Sequence, residues 1–364
     1  MKPRIITKAE LDRLIDTLAA QTRVYAPVMV EGKGWTEFRR IGSAREASFA
    51  TINTKQPVKG LLFPQCEVML RFQSLDPGKT TEPEPPEEQL IFGVRPCDAA
   101  GSAFLERFFA GPESKSADQA QSKSADQAQS KSADQAQRSD PYFRARRERT
   151  TLVGLACNQP ADTCFCLAVG GSQSGTKGLD LLLTDLGGRF LAEPVTEKGA
   201  ALVEKLPEAT EADMGKKREL AEKAAATITT RIDTTSLKKK LAKGFEHPVW
   251  EALGLPCVNC GACTFLCPTC HCFDVTDEEL KGKGSRRRVW DSCQFCIYSQ
   301  HASGHNPRVA PRSRYRNRVM DKFCYTVEQT GEISCVGCGR CIIECPAGID
   351  IRETVETLMK ALPE

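Results

Sequence analysis

Two short stretches of this chain, CVNCGACTFLCP and CVGCGRCIIECP, place cysteines at matching intervals. Each follows the pattern C-x2-C-x2-C-x3-C and ends in a proline. The first stretch contains Cys257, Cys260, Cys263 and Cys267, and the second contains Cys335, Cys338, Cys341 and Cys345. Thiolates at this spacing wrap the backbone around one face of an iron–sulfur cube and direct amide N–H groups at its sulfurs. The pattern therefore predicts two 4Fe–4S clusters.

The chain has 18 cysteines in 364 residues, and two other uses of cysteine compete with this interpretation. A disulfide scaffold is typical of small secreted chains, whereas this chain is long and its start, MKPRIITKAE, has no apolar signal core. Structural zinc is the other alternative, but zinc sites use separated CxxC pairs. We therefore expect cluster ligation in a reducing, cytoplasmic setting.

The ligand sets follow from two-cluster ferredoxins, in which the fourth cysteine of each loop ligates the cluster of the other loop. Applied to this chain, that rule gives each cluster three cysteines from one loop and the fourth cysteine from the other loop. One cluster is expected to take Cys257, Cys260, Cys263 and Cys345, and the other Cys335, Cys338, Cys341 and Cys267.

The long insertion between the loops holds cysteines that two cubes do not need. They are Cys270, Cys272, Cys293, Cys296 and Cys324. We interpret them as buried thiols that pack near the clusters, and further ligation stays an open alternative.

An arginine run near the end of this insertion has an electrostatic interpretation. It consists of Arg308, Arg312, Arg314, Arg316 and Arg318. Because a cluster held by four thiolates carries net negative charge, nearby guanidinium groups can neutralise it and adjust its potential. Docking of an acidic partner or binding of RNA are the alternatives, although no aromatic platform accompanies the run.

Four cysteines in the N-terminal half suggest a third centre. Cys97 and Cys157 each follow a short apolar strand, in FGVRPCD and VGLACNQ. If these strands are parallel neighbours, both thiols emerge at the carboxyl edge of one sheet, where α/β folds place ligands. Cys164 and Cys166 follow closely enough to join them, so the four thiols can hold a third 4Fe–4S cluster. Cys66 is a weaker extra ligand, and structural thiols are the alternative.

The order of predicted elements indicates an α+β protein in three parts. Residues 1–196 read as an α/β domain, residues 197–254 as a charged helical connector, and residues 255–364 as a ferredoxin-like domain with a long insertion. Within the first part, SKSADQAQ occurs three times over residues 114–137. This low-complexity repeat has no large aliphatic or aromatic residue, so we interpret it as a tolerated surface expansion.

Charge and hydropathy exclude some classes of partner. A formal charge of +3 is too near neutral to indicate nucleic acid or a membrane surface. No window approaches the roughly 18 apolar residues of a membrane span. We therefore expect no nucleic-acid partner and no membrane segment.

Several specific motifs occur in an order that resembles a known family. They are GVRPCDAA, ACNQPADTCFC, CVNCGACTFLCPTCHCFDV, RVWDSCQF, ASGHNPR and CVGCGRCIIECP. Outside the repeats, the series is similar to the beta subunit of cytoplasmic sulfhydrogenases and the related A subunit of anaerobic sulfite reductase. The resemblance implies an electron-transfer subunit with 4Fe–4S clusters, which works beside a flavin-bearing diaphorase subunit and a catalytic subunit.

The resulting hypothesis is an electron relay in which catalysis takes place on another chain. No nucleophile–base pair stands out, so no catalytic residues are assigned. One alternative is a flavin-containing reductase that is catalytic in its own right and uses the N-terminal α/β unit. Another is a structural metal module that binds nucleic acid through the arginine run. The terminal donor and acceptor stay open.

Overall fold

The fold is that of a computed structural model, which describes residues 1–73, 76–111 and 139–363. The octapeptide repeats, interpreted above as a surface expansion, lie outside these described residues. The described chain mixes helices and strands, as the sequence predicts.

The strands form two sheets. In chain order they are β1 (Arg4–Thr7), β2 (Arg23–Met29), β3 (Thr36–Ile41), β4 (Cys66–Gln73), β5 (Asp76–Thr81), β6 (Gln89–Val94), β7 (Thr150–Leu155), β8 (Leu181–Asp185), β9 (Arg189–Pro194), β10 (Phe273–Leu280) and β11 (Lys283–Trp290). The larger sheet has the order β1-β9-β8-β7-β6-β2-β3, and the smaller has β10-β11-β4-β5. In the larger sheet, β2, β6, β7 and β8 run parallel, while β1, β3 and β9 are antiparallel to their neighbours. Parallel strands at the centre of a sheet are typical of α/β folds.

Helices cover both faces of the larger sheet and continue through the C-terminal half. They are α1 (Lys8–Ala19), α2 (Lys59–Leu62), α3 (Pro96–Phe109), α4 (Pro141–Glu148), α5 (Glu197–Val203), α6 (Glu211–Thr227), α7 (Leu237–Lys243), α8 (Val249–Gly254), α9 (Ala262–Phe265), α10 (Pro311–Met320), α11 (Thr326–Thr330), α12 (Arg340–Ile343) and α13 (Ile351–Ala361). Leu11 and Ile15 of α1 pack on one face of the sheet, and Phe104 of α3 and Phe143 of α4 pack on the other. Helix α1 begins at the Thr7–Glu10 capping box that its sequence predicts.

The smaller sheet joins two distant parts of the sequence. Strands β10 and β11 form a hairpin inside the insertion between the cysteine loops, and β11 pairs with β4 from the N-terminal half. Sequence analysis did not predict this hairpin. Residues 76–81 form β5, which pairs with β4. Pairing between remote strands is a tertiary interaction that local composition does not encode.

The region predicted as one helical connector, residues 197–254, contains four separate helices, α5 to α8. Helix α5 packs against β7, β8 and β9, and α6 packs against β9. Helix α7 instead contributes Leu237 and Leu241 to a C-terminal core with Trp250, Val319 and Val355. The first two helices therefore cover the N-terminal sheet, and the last two, α7 and α8, belong with the C-terminal core.

A buried arginine holds the smaller sheet against the N-terminal half. Arg288 of β11 is 1% exposed, and its Nε donates to Glu67 Oε1 at 2.7 Å. Its Nη1 pairs with Asp140, and its guanidinium lies 5.0 Å from the centre of the Phe63 ring and 5.4 Å from that of Phe109. Breaking a buried ion pair by removing one partner leaves an uncompensated charge in the interior.

We expect Arg288→Ala to lower the free energy of unfolding by about 3–5 kcal/mol, because Asp140 loses its buried partner and the aromatic pocket is left unfilled. Arg286→Ala on the same strand is the matched control. Its partner Asp277 is exposed, so solvent screens the pair and the expected loss is much smaller. Urea unfolding of the anaerobically handled proteins measures both values. Equal losses in the two variants would contradict this role of Arg288.

Candidate iron–sulfur centres

The two cysteine loops fold in the same way. In each loop a glycine precedes a one-turn helix, Gly261 before α9 and Gly339 before α12. The same backbone hydrogen bond closes each turn, from Thr264 N to Gly261 O and from Ile342 N to Gly339 O, both at 2.9 Å. Helices α9 and α12 also contact each other. The repeated spacing in the sequence thus becomes a repeated local structure, and the two copies lie side by side.

The cysteines predicted for the first cluster line a single cavity. They are Cys257, Cys260, Cys263 and Cys345. Three come from the first loop and the fourth from the second loop, and Cys341 of the second loop lines the same cavity. The crossed ligand set therefore stays a prediction. Burial raises the pKa of the Cys257 and Cys263 thiols, so their thiolate forms need a positive partner such as iron. The donor set around this cavity fits a 4Fe–4S cluster.

The cysteines predicted for the second cluster also lie together. They are Cys335, Cys338, Cys341 and Cys267, and the charge of Cys267 acts on each of the other three. Burial raises the pKa of the Cys335 thiol to about 12 and that of Cys338 to about 11. Cys267 differs, because a hydrogen bond from the Cys270 thiol holds the pKa of Cys267 well below its ordinary value. This group also contains the four cysteines that a 4Fe–4S cluster requires, three from the second loop and one from the first.

Buried cations surround these sulfurs. Arg318 of α10 is 4% exposed, and its Nη1 lies 3.5 Å from Cys270 Sγ. Burial by itself would lower the pKa of Arg318, but the charges of Cys263, Cys270 and Cys341 outweigh burial and raise it. Because Cys263 belongs to the first group and Cys341 to the second, Arg318 acts on both. The interpretation of the arginine run as charge compensation fits this residue.

Two buried lysines were not singled out in the sequence. Lys322 is 1% exposed and its Nζ donates to Thr269 Oγ1 at 2.9 Å. Lys59 comes from α2, and its Nζ donates to the carbonyl oxygens of Thr264 at 3.1 Å and Cys270 at 3.0 Å. Burial lowers the pKa of Lys59 to about 8. An isolated lysine in a sequence is normally a surface residue, so only the fold identifies these two as part of the site.

Arg318→Met is expected to lower the reduction potential of the clusters by tens of millivolts, since ~1.4 kcal/mol of charge interaction corresponds to about 59 mV for one electron. Arg318→Lys, which keeps the charge, should retain most of the wild-type potential. Arg316→Met is the control, because Arg316 pairs with Glu246 and stacks on Phe245 at 3.7 Å. EPR-monitored redox titration measures these potentials. Unchanged potentials in Arg318→Met would contradict charge compensation by Arg318.

The four cysteines of the predicted third centre also come together. Cys97 begins helix α3 after β6, Cys157 follows β7, and these two strands are parallel neighbours, as predicted. Burial raises the pKa of Cys166 to about 12, with further contributions from the charges of Cys157 and Cys164. The charge of Cys157 also acts on Cys97. Cys66 lies instead on the smaller sheet, opposite Val289.

This third group lies directly against the second cysteine loop. Phe165 N donates to Gly337 O at 2.8 Å, and Asn53 Nδ2 donates to Cys338 O at 3.0 Å. A Cβ on Gly337, whose φ is +63°, would lie 2.4 Å from Cys166 N, so the close approach of the two segments requires glycine. The second and third groups of thiols are therefore neighbours across the contact between the two halves of the chain.

The surplus cysteines of the insertion differ among themselves. Cys270, Cys293 and Cys324 are buried, Cys272 is half-buried and Cys296 is exposed. Cys324 packs in the C-terminal core and its Sγ donates to Lys238 O at 3.7 Å. The interpretation of these cysteines as buried packing thiols thus suits Cys324. It does not suit Cys296, which is exposed.

Comparison with known proteins bears on the second half of the chain. Residues 256–349 match the family model described as a 4Fe–4S dicluster domain, and this range includes all eight cysteines of the two loops. This part of the chain is a 4Fe–4S dicluster domain. The match covers this domain alone, and the α/β region that carries Cys97 lies outside it.

A relative of similar length supports the resemblance stated from the motifs. Sulfhydrogenase 2 subunit beta of Pyrococcus furiosus is 28% identical to this chain over 345 residues, which is 93% of each chain. The dicluster domain therefore occurs here within a chain that resembles that subunit along nearly its whole length. Among the helices of the described residues, none is long and apolar enough to cross a membrane.

Replacing Cys345 tests whether the fourth cysteine of the second loop is a cluster ligand. We expect Cys345→Ala to lose about four irons per chain, the content of one cube. Cys296→Ala is the control, since this exposed thiol belongs to none of the three groups, and it should keep the wild-type iron content. Iron and sulfide analysis after anaerobic purification measures the cluster content of the wild type and of both variants. Full iron content in Cys345→Ala would show that Cys345 ligates neither cluster.

Proposed function

We propose that this chain is an iron–sulfur electron-transfer subunit of a hydrogenase-type oxidoreductase complex. The observation that carries the proposal is the pair of matching cysteine loops, which have the same local fold and pack side by side. The first cluster would be held by Cys257, Cys260, Cys263 and Cys345, and the second by Cys335, Cys338, Cys341 and Cys267. When bound, each cube accepts and releases one electron at a time. The chain contributes thiolate ligation, burial and the compensating charges of Arg318 and Lys322.

We infer further that Cys97, Cys157, Cys164 and Cys166 hold a third 4Fe–4S cluster. Supporting this inference, the four thiols converge at the carboxyl edge of the parallel strands, which is the usual ligand position in such sheets. Arg95 is 9% exposed at the same edge, with Nη1 donating to Ala156 O at 3.1 Å and Nη2 donating to Thr51 O at 2.6 Å. The position of this group against Gly337 would extend the relay from the second cluster into the N-terminal half.

Exposed apolar residues beside the first loop favour a partner at that end. Leu255 is 86% exposed and Val258 is 65% exposed, and they flank Cys257 in sequence. Cys260 of the same loop is also exposed. Apolar side chains beside an accessible ligand are typical of a docking surface. Since the relative from Pyrococcus furiosus is named as one subunit of a sulfhydrogenase, we propose a catalytic subunit and a flavin-bearing diaphorase subunit as partners, in the cytoplasm.

A second candidate function rests on one cavity. A space of about 660 Å³ beside the third thiol group is lined by Cys97, Gly170, Gly171, Ser172 and Lys177, among others. Its volume lies within the range of small-molecule and cofactor sites, and its glycines and lysine suit a phosphate-bearing ligand. This cavity is where a flavin would bind if the chain were a reductase in its own right. Flavin released from the isolated chain would favour that alternative.

Iron analysis of a Cys97→Ala variant tests the relay and its third centre together. We expect about twelve irons per chain in the wild type and about eight in Cys97→Ala, because one cube loses a ligand. Cys66→Ala is the control and should keep about twelve. A wild-type content of about eight would remove the third centre alone. A colourless, iron-free wild type that gives no EPR signal after reduction and reconstitution would overturn the electron-transfer function itself.

A further inference from the structure

A buried ion pair connects the two halves of the chain beside the second and third groups of thiols. Arg340 belongs to the second cysteine loop and follows Cys338 closely in sequence. Asp98 directly follows Cys97 at the start of helix α3. Arg340 Nη1 donates to Asp98 Oδ1 at 2.6 Å, and Nη2 donates to Oδ2 at 2.8 Å. Two parallel hydrogen bonds between a guanidinium and a carboxylate fix the orientation of both groups.

Both charges of this pair lie in the protein interior. Arg340 is 2% exposed and Asp98 is 1% exposed. The same guanidinium also binds Thr54, with Nε donating to the carbonyl oxygen at 2.9 Å and Nη2 donating to Oγ1 at 3.3 Å. Because water and salt screen buried charges far less than exposed ones, both charges act strongly on the sulfurs around them.

Close backbone packing holds the pair in place between the two groups. Gly339 precedes Arg340 and has a φ of +75°, and a Cβ there would lie 2.4 Å from Thr163 Oγ1. Thr163 in turn precedes Cys164 of the third group. The second loop therefore approaches the third group as closely as its backbone allows at this point, and the fold sets where each charge lies relative to the sulfurs.

The ion pair has a defined polarity, because its positive end belongs to the second group and its negative end to the third. At Cys338, burial raises the pKa, and the charge of Arg340 lowers it by more than the charge of Asp98 raises it. At Cys97, burial again raises the pKa, and the charge of Asp98 raises it by more than the charge of Arg340 lowers it. The pair thus favours negative charge at Cys338 and disfavours it at Cys97.

This polarity distinguishes Arg340 from the other buried arginine of the site. The charge of Arg318 interacts with cysteines of both the first and the second groups and compensates negative charge in both. Arg340 is neutralised by Asp98, so the pair adds no net charge to the interior. An ion pair without net charge acts on its two sides with opposite sign.

We propose that the Arg340–Asp98 pair is a fixed electric dipole that favours an electron in the second centre over the third. The inference rests on the proposed function and its third centre. A single electron is involved, so the third centre is oxidised and the second is reduced. Arg340 stabilises the added negative charge on its side, and Asp98 destabilises it on the other. The two are positioning residues that direct electrons from the N-terminal half into the dicluster domain.

Variants of the full-length holoprotein that remove one charge test the dipole, with EPR-monitored redox titration as the measurement. Asp98→Asn should raise both reduction potentials, that of the third centre more. Arg340→Gln should lower both, that of the second centre more. Each variant should reduce the equilibrium constant for electron transfer from the third to the second centre about tenfold, which is about 59 mV for one electron. A purely structural role would not give shifts of opposite sign.

A double variant keeps the test independent of folding defects. Removing Arg340 alone leaves a buried carboxylate without its partner, which destabilises the fold. In Arg340→Gln/Asp98→Asn, two amides that can hydrogen-bond to each other replace both charges. We expect the equilibrium constant to fall at least as far as in the single variants, while the mean of the two potentials stays near its wild-type value. Arg340→Lys keeps the positive charge and should retain the wild-type order of potentials.

The signals are assigned with the variant that lacks the third centre. The signal that disappears in Cys97→Ala belongs to the third centre, and the signal that sharpens in the same variant belongs to its neighbour, the second. Arg189→Gln is the matched control, because Arg189 pairs with the buried Asp213 at 2.6 Å between β9 and α6. This variant should leave every potential unchanged.

Iron content is measured in every protein, so the proposal and the proposed function fail in different ways. An iron-loaded double variant with the wild-type difference between the two potentials would overturn the dipole and leave the electron-transfer function intact. A wild type with about eight irons would also overturn the dipole alone, because it lacks the third centre. An iron-free wild type would overturn the electron-transfer function and the dipole together.

Discussion

Thiolate sulfur inside a protein needs positive charge and hydrogen-bond donors close by, and much of this structure follows from that requirement. An isolated buried charge costs several kcal/mol, whereas oppositely charged groups compensate each other when they are buried together. Arg318, Lys322, Arg340 and Lys59 are all at most 4% exposed, and each lies among cysteines of the proposed centres. These cations would be destabilising in an apolar core, and their charges favour the thiolate form of the sulfurs against the effect of burial. The buried cations and the buried sulfurs therefore compensate each other's charge.

The same requirement explains why the two halves of the chain form a continuous interior around the sulfurs. Arg340 lies between two cysteines of the second loop, and its Nη1 donates to Asp98 Oδ1 of helix α3 at 2.6 Å. Lys59 reaches from the N-terminal half to carbonyl groups of the first loop region. Phe165 belongs to the C-terminal core although it precedes the connector helices in sequence. The dicluster domain is thus completed by charges and surfaces that the N-terminal half supplies.

The cysteines of this chain differ in their surroundings. Around the first cavity, Cys257, Cys263 and Cys345 line a common space, as a shared inorganic core requires. Cys272 and Cys293 lie outside the three groups and line a different cavity.

The sequence by itself determined the features whose geometry is local. The spacing of each cysteine loop predicts its turn, and the apolar run of residues 89–94 predicts a buried strand that the structure confirms. Only the tertiary structure decided which distant groups meet. Strand pairing unites Cys97 with Cys157, a buried ion pair unites Arg340 with Asp98, and burial turns Lys59 from an ordinary lysine into part of the site. Local patterns carry no information about contacts between remote segments, because those contacts depend on the packing of the whole chain.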